Sequence, residues 1–203
     1  MNVPIYGHLQ LHFEKYPTAA FLPFLQKGFY VEISTGNLLE ILCRTCGLDA
    51  QQVHQRIQTV FLNGKPVDDM ASVYVRDKDC LALSAAMPGL VGATMRSGGV
   101  LAGFRHSISH RPEAAQSNQQ GGVLSIKLFN LLIKEIGLRL LRQGILVKGD
   151  DLQDLMTALS EHDWKHCKKV ELNAQKVDTD TLKTMEWPQG PGFVCLQVTV
   201  GCK

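Results

Sequence analysis

Leu9, Leu11 and Phe13 alternate with Gln10 and His12, the two-residue period of a strand with one buried face. The next stretch, residues 14–27, carries a compact apolar set, Ala20, Phe21, Leu22, Phe24 and Leu25, and predicts a short helical turn broken by Pro23. Gly28 restarts an extended run, Phe29-Tyr30-Val31-Glu32-Ile33, in which aromatic and β-branched residues dominate. Ser34-Thr35-Gly36-Asn37 then supplies cap chemistry for a helix whose apolar face is Leu38, Leu39, Ile41, Leu42 and Leu48, with Gly47 at its C-terminal cap. Val60-Phe61-Leu62 forms a strand that ends in an Asn63-Gly64 corner and returns through Val67-Asp68-Asp69. After an irregular stretch through Val73 and Val75, Asp77-Lys78-Asp79 turns the chain into a last strand, Cys80-Leu81-Ala82-Leu83.

The same pattern returns in the second half of the chain. Leu124, Ile126 and Leu128 match the first strand, Gly144-Ile145-Leu146-Val147 matches Gly28-Phe29-Tyr30-Val31, and Leu152, Leu155, Met156 and Leu159 form the helix stripe, with Asp150 or Asp151 as its cap. Val170-Glu171-Leu172-Asn173-Ala174-Gln175 repeats the asparagine corner, and Phe193 to Val200 is the closing strand. Four corresponding segments in one order imply a tandem duplication, with extra residues between helix and corner in the first copy. The order within each copy suggests a β-grasp fold, a small mixed sheet cradling one main helix. The expected class is therefore α+β with two such domains, residues 1–86 and 123–203, separated by residues 87–122.

That connection has two parts. Residues 87–104 are apolar and rich in glycine, with Met87, Pro88, Leu90, Val91, Met95, Val100, Leu101 and Phe104 as the bulky members. Arg96 and the glycines argue against a membrane-spanning helix. Two readings remain open: an arm packed on its own domain, or an exposed segment that docks on a partner or a second copy. Residues 111–122, from Arg111 to Gly122, read as a flexible polar linker that holds the domain boundary.

A chain of 203 residues with 45% hydrophobic and 20% charged residues can bury two small cores. Its formal charge of +2 is too mild to point to a polyanion, so neither nucleic acid nor a membrane is expected as a partner. The first residues lack the basic and apolar regions of a signal peptide, and the six irregularly spaced cysteines suit reduced, packed thiols, which together imply a cytoplasmic protein.

No set of acid, base, nucleophile and metal ligands stands out. Cys43 and Cys46 have the CxxC spacing of zinc and redox sites but lack a second pair; one buried and one peripheral thiol is the favoured reading. His162 and His166, beside Cys167, could share a metal from one helix face but lack an evident third ligand; His106 and His110 have the same spacing within a serine-rich segment that also reads as a solvated loop. Trp164 and Trp187 read as packing residues, and Asp68 and Asp69 as carboxylates bonding local turn amides. The expectation is a protein that is not an enzyme and has neither cofactor nor metal.

Phe61-Leu62-Asn63-Gly64-Lys65-Pro66-Val67 with Asp77-x-Asp79-Cys80-Leu81-Ala82-Leu83, and Ile126-Lys127-Leu128-Phe129 with Lys134-Glu135-Ile136-Gly137, resemble parts of the ubiquitin-like sulfur carriers: the small subunit of molybdopterin synthase and the thiazole-biosynthesis sulfur carrier. The resemblance implies a β-grasp fold. It also implies a Gly-Gly terminus that an adenylating enzyme activates for conversion to a thiocarboxylate. Gly98-Gly99 is the matching pair, and its use requires proteolysis after Gly99. The leading expectation is a non-enzymatic interaction or assembly module that uses the arm to bind a protein or to self-associate, with a homo-oligomer as one outcome; the alternative is a sulfur-carrier precursor cleaved after Gly99.

Overall fold

The structure, a computed structural model, describes residues 3–105, 107–110 and 121–201. It is a mixed α+β fold, and among the described residues no helix is long and apolar enough to cross a membrane.

Strand β1 spans Ile5–Phe13, and its alternating face, Leu9, Leu11 and Phe13, is at most 1% exposed. Helix α1, Thr18–Lys27, runs through Pro23 without breaking. The missing proline N–H costs one helical bond, and the burial of Ala20, Phe21, Phe24 and Leu25 offsets it. Strand β2 (Phe29–Ile33) leads to α2 (Leu38–Cys46), where Asn37 and Glu40 form a capping box. Gly47, at φ 61°, ends α2 in the left-handed conformation, and Asp49 with Gln52 caps a separate helix, α3 (Ala50–Arg56). Helix α2 ends at Gly47 as its pattern predicts, and α3 follows as a second helix that the periodicity did not show. Strands β3 (Thr59–Leu62) and β4 (Lys65–Pro66) flank the Asn63-Gly64 corner, and β5 is Cys80–Ser84. Asn63 also clamps the chain across the corner: its Nδ2 donates to Asp79 Oδ1 at 2.7 Å, and its Oδ1 accepts from Cys80 N at 2.8 Å.

The second half repeats this order with β6 (Gly122–Phe129), a π-type turn at Ile133–Gly137, α5 (Leu138–Gln143) and β7 (Ile145–Val147). Helices α6 (Gly149–Ala158) and α7 (Glu161–Lys165) follow, then β8 (Cys167–Leu172), β9 (Gln175–Lys176), α8 (Thr179–Thr184) and β10 (Phe193–Val200). The cap expected from Asp150 or Asp151 does not form: Lys148 stands at the N-cap position and makes no side-chain capping hydrogen bond, and both aspartates lie in the first turn. Asp151 instead meets Lys27 of α1 at 2.7 Å, and Asp154 meets it at 2.8 Å. Hydrogen bonds to Asp151 and then Asp154 hold the Lys27 ammonium above the usual lysine range, outweighing its partial desolvation.

Both asparagine corners place two successive residues at positive φ: Asn63 and Gly64 at 51° and 78°, Asn173 and Ala174 at 52° and 63°. This is the two-residue hairpin geometry that matches the twist of the strands. An alanine there carries the Cβ penalty of the left-handed region, about 1 kcal/mol. Ala174→Gly is therefore expected to raise the thermal midpoint by roughly 2–4 °C, and a lower midpoint in a differential scanning experiment would show that the corner carries no such strain.

The chain forms two compact units, one of residues Tyr30–Gly137 and the other of residues up to Phe29 together with those from Leu138 onward. In the first the strand order is β4-β3-β5-β6-β2, and in the second it is β7-β10-β1-β8-β9. Each is mixed: β5 runs parallel to β6 and antiparallel to β3, while β1 runs parallel to β10 and antiparallel to β8. The units do not follow the boundaries expected from the repeat, 1–86 and 123–203. The first strand of the first half of the chain, β1, lies among strands of the second half, and the first strand of the second half, β6, lies beside β5 of the first. Alternating apolar positions fix which face of a strand is buried but not which neighbours it pairs with.

Candidate functional site

The arm belongs to the first unit. Pro88 begins helix α4, Gly89–Met95, and a 3-10 turn at Val100–Arg105 follows. Gly92 permits this helix, because a Cβ there would stand 2.0 Å from the Met87 carbonyl oxygen. The polar atoms of the arm turn toward the corner formed by β3 and β4. Ser97 N donates to Gln58 O at 2.9 Å, Ser97 Oγ to Val67 O at 2.7 Å, and His110 N to Pro66 O at 2.7 Å.

Arg105 anchors the segment and is only 4% exposed. Its Nη2 and Nη1 donate to the two carboxylate oxygens of Asp68 at 2.7 and 3.2 Å. Nε reaches Thr94 O at 2.6 Å, Nη2 also reaches Arg96 O at 3.1 Å, and Nη1 reaches Ser109 Oγ at 2.7 Å. All three guanidinium nitrogens are thus engaged by groups from α4, the turn after it, the segment that follows and the corner. A planar fork suits this task better than a lysine ammonium would. Residue pattern offers no cue for this pair: the turn position of Asp68 predicts bonds to local amides, whereas its carboxylate takes Arg105 and the more distant Gly98 N at 3.3 Å. Asp69 does make the local bond, accepting from Ala71 N at 2.9 Å.

With its backbone held inward, the arm presents its bulky apolar side chains outward. Leu90 is 74% exposed, Val91 69%, Phe104 84% and Val100 fully so. Pro88 is exposed, and Met87, Met95 and Leu101 are partly buried. The backbone of the arm thus packs on its own unit while its apolar side chains face solvent. Gly98-Gly99 lies between α4 and the 3-10 turn; Gly98 is exposed at φ 61°, and Gly99 N donates to Arg96 O at 3.1 Å. The polar linker expected at 111–122 falls outside the described residues through position 120, as do His106 and Cys202.

The remaining candidates are distributed through both units. Cys46 is buried and Cys43 partly so, the arrangement the helical pattern favoured. Burial first, then Asp49 and Glu40, pushes the Cys43 thiol up, the opposite of what a thiolate ligand or nucleophile needs. Cys167 is also pushed up, by burial, and its Sγ donates to Lys169 O at 3.6 Å. His162 and His166 do come together, with ring centroids 4.4 Å apart. Among the described residues no group of three or more His, Cys, Asp or Glu side chains could hold a metal ion. Trp164 and Trp187 are 5% and 4% exposed, as packing residues should be. No family model, curated protein or solved structure matches this chain.

Proposed function

We propose that this protein is a non-enzymatic interaction or assembly module built from two β-grasp-type repeats, and that the arm is its contact surface for a protein partner or a second copy. The observation that carries this reading is the exposure of Leu90, Val91, Val100 and Phe104 on a backbone tied down by the buried Arg105. A held backbone has little order left to lose on binding, so apolar contact area is retained as affinity. Two repeats also suit an assembly role.

Leu90→Asp combined with Phe104→Asp is expected to weaken association by about 100-fold or more, since central apolar anchors contribute roughly 1–3 kcal/mol each. The thermal midpoint should stay nearly unchanged, because these side chains are largely exposed. Light scattering of the purified protein and crosslinking in its native cell measure this. A wild-type chain that stays monomeric and captures nothing, with a doubly substituted chain behaving identically, would remove the arm as a contact surface.

The sulfur-carrier alternative requires a fragment ending at Gly99, and that fragment would include β1. To leave, it would have to withdraw β1 from between β8 and β10, to which β1 is hydrogen-bonded along both edges. The interaction reading has no such cost and is placed first. Intact mass of protein from its native cell separates the two: a species ending at Gly99, or one carrying a thiocarboxylate, belongs to the alternative.

A further inference from the structure

A cavity of about 850 Å³ opens on the second unit, lined in part by His12, Lys15, Tyr16, His162, His166 and Lys168. Its two carboxylates, Glu14 and Asp163, are both engaged. Lys168 Nζ meets Glu14 Oε1 at 2.6 Å, and Asp163 Oδ2 accepts from Ser160 N and Oγ at 2.9 and 2.6 Å in the cap of α7. His166 Nδ1 donates to His162 O at 2.8 Å, which leaves its Nε2 facing Glu14 Oε2 at 3.8 Å. His12 uses Nδ1 on Thr199 Oγ1 at 2.9 Å and keeps Nε2. Lys15 is exposed at the cavity wall, and the first turn of α1, at Thr18 and Ala19, lines the same space with neither a side-chain cap nor an acidic residue.

We propose that this cavity binds a small doubly charged oxyanion of the phosphate or sulfate class, held by Lys15, His12 and His162. The inference is independent of the arm. Cationic and donor groups reach the space from β1, the segment before α1, α7 and β8, while the two acids facing it are spent on Lys168 and on the cap. A divalent metal fits less well, because the Lys168 ammonium already occupies the carboxylate nearest the histidine pair. The volume falls within the range of small-ligand sites, so an organic body attached to the oxyanion has room.

Sodium sulfate is the first probe, since sulfate carries both charges throughout the neutral range. In titrations of the full chain followed by NMR, at ionic strength balanced with chloride, the ring resonances of His12, His162 and His166 are expected to shift saturably. Lys15→Gln should weaken binding about tenfold, the equivalent of one charge-assisted hydrogen bond, and His162→Gln should do likewise. Both sites are exposed, so folding is unaffected. Phenyl phosphate binding more tightly than inorganic phosphate would assign the site to a phosphorylated organic ligand, and equal binding to the free ion. Shifts that chloride reproduces, affinity independent of both substitutions, or stoichiometric Zn²⁺ binding that expels sulfate would overturn the proposal.

Discussion

Residues 1–110 and 111–203, produced as separate chains, are each expected to remain unfolded, and refolding them together is expected to restore one complex with the circular dichroism of the intact protein. The reason is the exchange of first strands. Without β1 the second unit loses the strand between β10 and β8, and with it Leu9, Leu11 and Phe13, all at most 1% exposed. At roughly 1.5–3 kcal/mol for each fully buried large side chain, that is about 5–9 kcal/mol before any ladder hydrogen bonds are counted. A typical domain has only about 5–15 kcal/mol in total. The first unit stands in the same position: β6 supplies Leu124, Ile126 and Leu128, each fully buried, and pairs Ile126 with Leu81 and Leu128 with Leu83. A half that folds cooperatively alone in a urea titration would contradict the exchange. The pairing of Leu9 with Leu196 joins residues near opposite ends of the chain. Contacts of this sequence separation form late and slowly, so the mixed halves should regain structure more slowly than a local hairpin would.

Local elements were largely legible from residue pattern, and their neighbours were not. The asparagine corners follow from side chains that tolerate positive φ, and the structure places Asn63 and Asn173 there. Strands β5 and β10 begin where the apolar runs begin, at Cys80 and Phe193. Helix α1 survives its proline because three large side chains anchor it, a tertiary effect that local rules cannot weigh. The strand exchange left no trace in the pattern, since β1 and β6 are both alternating strands and either would satisfy either sheet. The apolar character of the arm was visible in the sequence, but its fixed backbone was not. Arg105 reads as an ordinary surface arginine beside a serine-rich stretch, and its carboxylate partner lies 37 positions away.

That guanidinium should be the most sensitive single position of the arm. Arg105→Met keeps the apolar stem and removes the fork, and trypsin cleavage after the exposed Arg96 is expected to accelerate by roughly 30- to 100-fold, corresponding to about 2–3 kcal/mol of local opening. In the wild-type chain the Arg96 carbonyl accepts from both Gly99 N and Arg105 Nη2, which keeps the bond out of a protease cleft. Asp68→Ala leaves the buried guanidinium without its carboxylate. Such losses reach roughly 3–5 kcal/mol when both partners are buried, but Asp68 is 40% exposed and water screens it, so about 2 kcal/mol is expected here. Arg105→Lys should not rescue the arm, since one ammonium cannot reach Asp68, Thr94 O and Arg96 O together. The decisive comparison is a double-mutant cycle read by urea denaturation. Asp68→Asn should destabilise the wild-type chain and have almost no effect in the Arg105→Met background, because its energy resides in the pair. Equal losses in both backgrounds would mean that Asp68 does not act through Arg105, and the exposed apolar side chains would then be held by the α4 backbone rather than by the ion pair.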